Sequence, residues 1–169
     1  MAISMYSASV PVIVQILGGL KGVLDKGEAQ ATAKKWDPTT TLNWRLYPDM
    51  FTLERQVRQV CVHALAPARV AGVDLPTLSD SDNSWEEMKS RVGKVLDFLQ
   101  TLNAGQIDGK EDSQVTVPVG GQPRQFKGQN YLFHFAMPNF YFHSTTAYNI
   151  LRSVGVEIGK RDFMGQVPG

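Results

Sequence analysis

Apolar residues recur at helical spacing in four stretches of the chain. Val10, Val14, Leu17, Leu20 and Leu24 mark one face of a first segment, about Ile3 to Ala33. Pro11 lies near its beginning and implies an irregular start or a kink, because proline has no amide to donate. Gly18, Gly19 and Gly22 weaken the segment but allow another helix to come close. After a loop, Trp36 to Met50, Thr52 is placed to cap a second helix, Leu53 to Ala71. Leu53, Val57, Val60, Cys61, Ala64 and Ala68 form its stripe, Gly72 ends it, and Pro67 should kink or shorten it.

The third helix starts where Ser84 and Glu87 have the spacing of a capping box. Trp85, Met88, Val92, Val95, Leu96 and Leu99 then repeat at helical spacing. The pattern changes to period two at Val115, Val117 and Val119. Gly120-Gly121 and a second run to Phe126 complete a short β-hairpin, and Pro118 confines its strand to an edge. The fourth helix is expected from Gln129 to Val154, closed by Gly155. No Asp, Glu, Lys or Arg occurs from Gly128 to Leu151, so this helix should be buried on most sides. The tail, Val156 to Gly169, is expected as an extended arm or a frayed end. The pattern defines an all-α fold: a single domain over residues 1–169, a four-helix bundle with a hairpin between the third and fourth helices.

Composition narrows the functional classes. The chain has 169 residues, 43% of them hydrophobic, which suits one self-supporting core. Lys plus Arg is 17 and Asp plus Glu is 16, so the basic excess of a nucleic-acid binder is missing. One cysteine, Cys61, excludes an intrachain disulfide framework and a multi-cysteine metal site. Residues 1–20 carry no charge, but a signal peptide needs basic residues ahead of its apolar core, and Lys21 comes after it. Ser4, Tyr6, Ser7, Ser9, Pro11 and Gln15 make the same stretch too polar to span a membrane. A cytoplasmic location is therefore expected.

Candidate chemistry concentrates on the fourth helix. Leu132, Ala136, Asn139, His143, Ala147, Ile150 and Val154 share a face, and Asn139 and His143 stand at i and i+4. Polar groups on an apolar stripe need partners. Those partners are either hydrogen-bonding groups of the bundle or water, or a shared metal ion or polar ligand. On the second helix Gln56 and His63 flank the stripe, while Gln59 lies further round. His134 is out of step with Asn139 unless Pro138 distorts the turn. Tyr47 and Tyr148 could add hydroxyls to a pocket. Phe133, Phe135, Phe140, Tyr141 and Phe142 read as core. Cys61 and His63 are two apart on a helix, about 200° round it, so they do not form a nucleophile pair. No phosphate-binding loop and no His-Glu-x-x-His motif is present.

Three runs carry a family resemblance: Ser4-Met5-Tyr6 through Pro11, Arg45-Leu46-Tyr47-Pro48-Asp49-Met50-Phe51, and His134 through Tyr148 continuing to Leu151-Arg152 and Gly155 to Lys160. Together they resemble a family of unknown function within the DinB-like superfamily, over essentially the whole chain. The resemblance implies a four-helix bundle, a homodimer, and enzymes that use small thiols with a divalent metal such as zinc or nickel. The family's metal is held by one histidine from the second helix and a His-x-x-x-His pair from the last. Leu151-Arg152 aligns His143 with the final ligand, but Asn139 stands where the preceding histidine is expected. Phe51-Thr52 aligns the second-helix ligand near Gln59, whereas the helical wheel favours Gln56 or His63. An amide is a weaker ligand than imidazole for zinc or nickel. Two expectations follow. One is a degenerate metal site on His143, Asn139 and Gln59, serving a thiol-dependent transferase. The other is a metal-free bundle that binds a small molecule or pairs with itself. Neither involves nucleic acid or membrane.

Overall fold

Four long helices form the bundle of this computed structural model, which describes residues 3–169. The first two residues of the uncharged N-terminal stretch lie outside it. Helix α1 runs from Val10 to Ala33 and so starts with the apolar face, later than the expected Ile3. Residues 4–9 form turns in which Ser9 Oγ donates to Met5 O, and Pro11 sits in the first helical turn, where its missing amide costs nothing. A one-turn helix α2, Pro38–Leu42, is capped by Asp37. Helix α3, Leu53–Ala64, is capped by Thr52. The expected continuation to Ala71 breaks at Leu65, and α4, Ala66–Ala71, restarts with Pro67 in its first turn. Helix α5 spans Trp85–Leu99. Ser84 Oγ accepts from Glu87 N, but Glu87 answers the amide of Asn83 at 2.6 Å, so the expected capping box closes one residue early.

A short α6, Ala104–Ile107, leads to the hairpin of β1, Gln114–Val119, and β2, Gln122–Lys127. The strands pair antiparallel from Gln114↔Lys127 to Val119↔Gln122. Gly120 (φ 60°) and Gly121 (φ 81°) supply the two positive dihedrals that a two-residue turn requires. Val115 and Val117 face the core. The fourth helix is continuous but not uniform: α7, Gly128–Asn130, passes through a π-helical turn, Tyr131–Ala136, into α8, Met137–Ser153. Pro138 cannot donate to the carbonyl four residues back and its ring would press on it, and widening the preceding turn removes that conflict.

Helices α3 and α8 pack most extensively on each other, with α1 and α5 completing the bundle. The core includes Ile13, Leu17, Leu20, Leu53, Val57, Met88, Leu99, Leu132, Phe140, Ile150 and Leu151, all fully buried. The tail is partly helical, where the sequence implied only an extended arm or a frayed end. It forms α9, Lys160–Met164, which lies on α1. Of Gly18, Gly19 and Gly22, Gly19 alone provides the close approach to α9, since a Cβ there would stand 2.2 Å from Phe163 O. Among the described residues no helix is long and apolar enough to cross a membrane.

Candidate functional site

The pairing of α3 with α8 brings His143 against Gln56 and His63. Gln56 and His63 are seven residues apart, so both fall on the α3 face that meets α8. His143 Nδ1 lies 2.7 Å from Gln56 Oε1. The Gln56 amide nitrogen donates to Phe51 O at 3.3 Å, which leaves its oxygen to accept from His143. Nδ1 therefore carries the proton and Nε2 the lone pair. Nε2 has no partner among the described residues and, unlike His63 Nδ1, is not cut off from solvent.

The two imidazoles are stacked, 5.7 Å between centroids and 10° between planes. Phe51 extends the stack on the other side of His143, at 6.1 Å and 5°. Phe142 meets His143 edge-on at 5.3 Å, and Phe135 meets His63 edge-on at 5.7 Å. Burial pushes the His143 imidazolium down to about 4. His63 is also pushed down to about 4, by burial first, then by the neighbouring His143 and the Arg69 cation. Both rings are neutral at pH 7. A pocket of about 280 Å³ opens on His143, lined by Asp49, Met50, Phe51, Gln56, Phe142 and His143.

The remaining sequence candidates lie elsewhere. Asn139 is half-buried, and its amide nitrogen donates to Phe135 O one turn back at 2.7 Å, so the helix itself supplies its partner. Gln59 is half-buried and does not line the pocket, because it stands three residues round α3 from Gln56. His134 is exposed within the π-helical turn. Tyr47 is 64% exposed, and Tyr148 packs edge-on against Phe163 at 5.7 Å. Cys61 is buried, and burial pushes its thiol up to about 12, so it carries no thiolate. Tyr141 and Phe142 depart from the core expectation: they are 36% and 57% exposed, and Phe142 forms a pocket wall. Sequence reading also missed Asp49, Met50 and Phe51. Their signal was the run from Arg45 to Phe51, which carries the family resemblance and delivers the chain to α3.

The donor set does not fit the three-ligand metal site that the resemblance implies. Among the described residues no group of three or more His, Cys, Asp and Glu side chains is placed to hold an ion. Imidazole binds a metal through a lone pair in its ring plane, at about 2.0–2.1 Å for zinc. Only two imidazoles, His63 and His143, meet here, and Nδ1 of His143 is already paired with Gln56 Oε1. What the arrangement provides is one outward acceptor, His143 Nε2, set in aromatic walls.

The helical bundle with a hairpin before its last helix has the fold of a DinB-like protein. Residues 5–164 match the family model described as "Domain of unknown function (DUF1993)", and the chain belongs to that family. It is similar to a DinB family member protein from Shewanella denitrificans whose crystal structure is known: 36% identity over 98% of this chain and 94% of that one, with a TM-score of 0.88. A search of the curated proteins gave no match.

Proposed function

We propose that the chain is a small-molecule-binding bundle whose site is the pocket at His143, and that it works without a resident metal. One observation carries this reading: Gln56 occupies His143 Nδ1 and thereby leaves Nε2 as a neutral acceptor on a residue that lines the pocket. The walls are Phe51, Phe142 and Met50, which suits a compact apolar group bearing an O–H, N–H or S–H donor. A small thiol is therefore within the ligand class. Catalysis by His143 as general base has less support, because a base titrating near 4 is weak at neutral pH. Homodimer formation belongs to the same proposal and is read by sedimentation.

The test combines metal analysis of chelator-free protein with thermal shifts in cysteine methyl ester and in its hydroxyl analogue serine methyl ester, for wild type and His143→Ala. The expected result is substoichiometric metal in both proteins and a ligand-induced rise in Tm that the variant loses. Near-stoichiometric zinc or nickel that disappears in His143→Ala would overturn the metal-free reading. An equal thermal shift in both proteins would remove the ligand from this pocket.

A further inference from the structure

A second pocket, of about 430 Å³, shares no residue with the His143 pocket. It lies where the α1–α2 connection crosses the end of α8. Trp36 and Trp44 line it, with Asp37, Thr40, Ser153 and Val154. We propose that this pocket binds a compact organic cation, such as a quaternary or methylated ammonium group.

Three independent features point to positive charge. The indole faces carry negative quadrupole density, and tryptophan is the best aromatic partner for a cation. Trp36 shows this within the chain, because Lys34 Nζ rests 5.3 Å from its ring centroid. The only ionisable side chain in the lining is Asp37. The hydroxyl and amide of Thr40 donate to its Oδ2 at 2.8 Å each and hold its carboxyl below the usual range, so it stays charged. The third feature is the end of α8, a helix of 17 residues whose C-terminal carbonyls give it partial negative charge. Ser153 and Val154 belong to that end, and their carbonyls accept no hydrogen bond among the described residues. The nearby Arg152 is turned away, its guanidinium donating to Ile158 O.

The pocket is also held in shape. Trp36 N donates to Ala31 O and Lys35 N to Thr32 O, which folds the chain sharply back onto the end of α1. Thr41 and Leu42 are buried, and Trp44 N donates to Thr41 O, which ties Trp44 to the end of α2. An aromatic pair that rests on a pinned turn is preorganised, so little ordering opposes binding.

The experiment titrates the full chain with choline and with dimethylbutanol, its uncharged carbon isostere, and follows the three indole N–H signals by NMR. Choline is expected to shift Trp36 and Trp44 and leave the buried Trp85 unmoved. The isostere should bind roughly fivefold more weakly. Asp37→Asn retains an α2 cap, since asparagine caps as well as aspartate, yet should weaken choline by a similar factor. Lys34→Ala removes the internal competitor and should tighten it. Absent shifts, equal binding of the isostere, or unchanged affinity in Asp37→Asn would each overturn the proposal.

Discussion

At the scale of single residues, the molecule stores its most consequential chemistry in His63 and His143. Both are pushed down to about 4 in the fold, against an unfolded value near 6.5. The unfolded chain therefore binds more protons than the folded one between those limits, and stability falls as pH drops from 6.5 toward 4. The loss between pH 7 and 5 should be on the order of 2 kcal/mol for each imidazole. Urea midpoints measured across that range should slope in the wild type and about half as steeply in His143→Gln, which keeps a partner for Gln56 without an imidazolium and leaves His63 to titrate. A second residue works against its own backbone. Gly72 and Gly155 close α4 and α8 at φ 73° and 87°, but the matching position after α1 holds Lys35 at φ 54°. Only glycine adopts that region at no steric cost. Lys35→Gly should stabilise the fold by about 0.5–1 kcal/mol, read as a shift in urea midpoint with an unchanged slope. The sequence made part of this legible. Spacing alone put Gln56, His63 and His143 on inward faces. It could not show that Asn139 turns back to its own helix, because that bond to Phe135 O is local and independent of which face the residue occupies.

At the scale of elements, the long helices and the hairpin were readable because each carries several turns of periodic burial. The short ones were not. Helices α6 and α9 have four and five residues, too few to display a period, and each depends on the surface beneath it. Helix α9 shows what such a surface provides. Gly19 lets Phe163 O come into van der Waals range of α1, Gln15 Nε2 donates to Met164 O at 2.9 Å, and Lys26 pairs with Asp162 at 2.8 Å. A methyl at Gly19 would force the backbone of α9 away, whereas Gly18, one residue earlier, meets nothing within 4 Å. Gly19→Ala should cost about 1–3 kcal/mol and release α9 to rapid hydrogen exchange. Gly18→Ala should instead gain up to about 1 kcal/mol, from helix propensity alone. If the two variants behaved alike, the docking of α9 would not depend on close approach.

At the scale of the whole molecule, one buried ion pair ties the loop between α4 and α5 to the bundle. Arg91 Nε meets Asp82 Oδ2 at 2.6 Å, and its second arm reaches Asp82 Oδ1 at 3.0 Å and Ser79 O at 2.7 Å. The two side chains are 4% and 1% exposed, and the amide of Asp82 donates to Glu54 on α3. Nothing in the sequence singled this pair out. Arg91 reads as one more charge on α5, and its partner lies across a loop whose path no periodicity specifies. Removing one member leaves the other charge buried and unpaired, which typically costs about 3–5 kcal/mol. That is a large share of the roughly 5–15 kcal/mol by which a domain is stable. Arg91→Met alone should therefore lower the unfolding free energy by about 3–5 kcal/mol in urea titration. The double variant Arg91→Met, Asp82→Leu removes both charges and should recover most of that loss, because an apolar pair of similar volume avoids the desolvation that the ions require. A coupling energy of several kcal/mol between the two sites would show that the pair acts as a unit joining loop, α3 and α5. Additive losses would mean that the loop is held by packing instead, and that Arg91 and Asp82 stabilise the bundle separately.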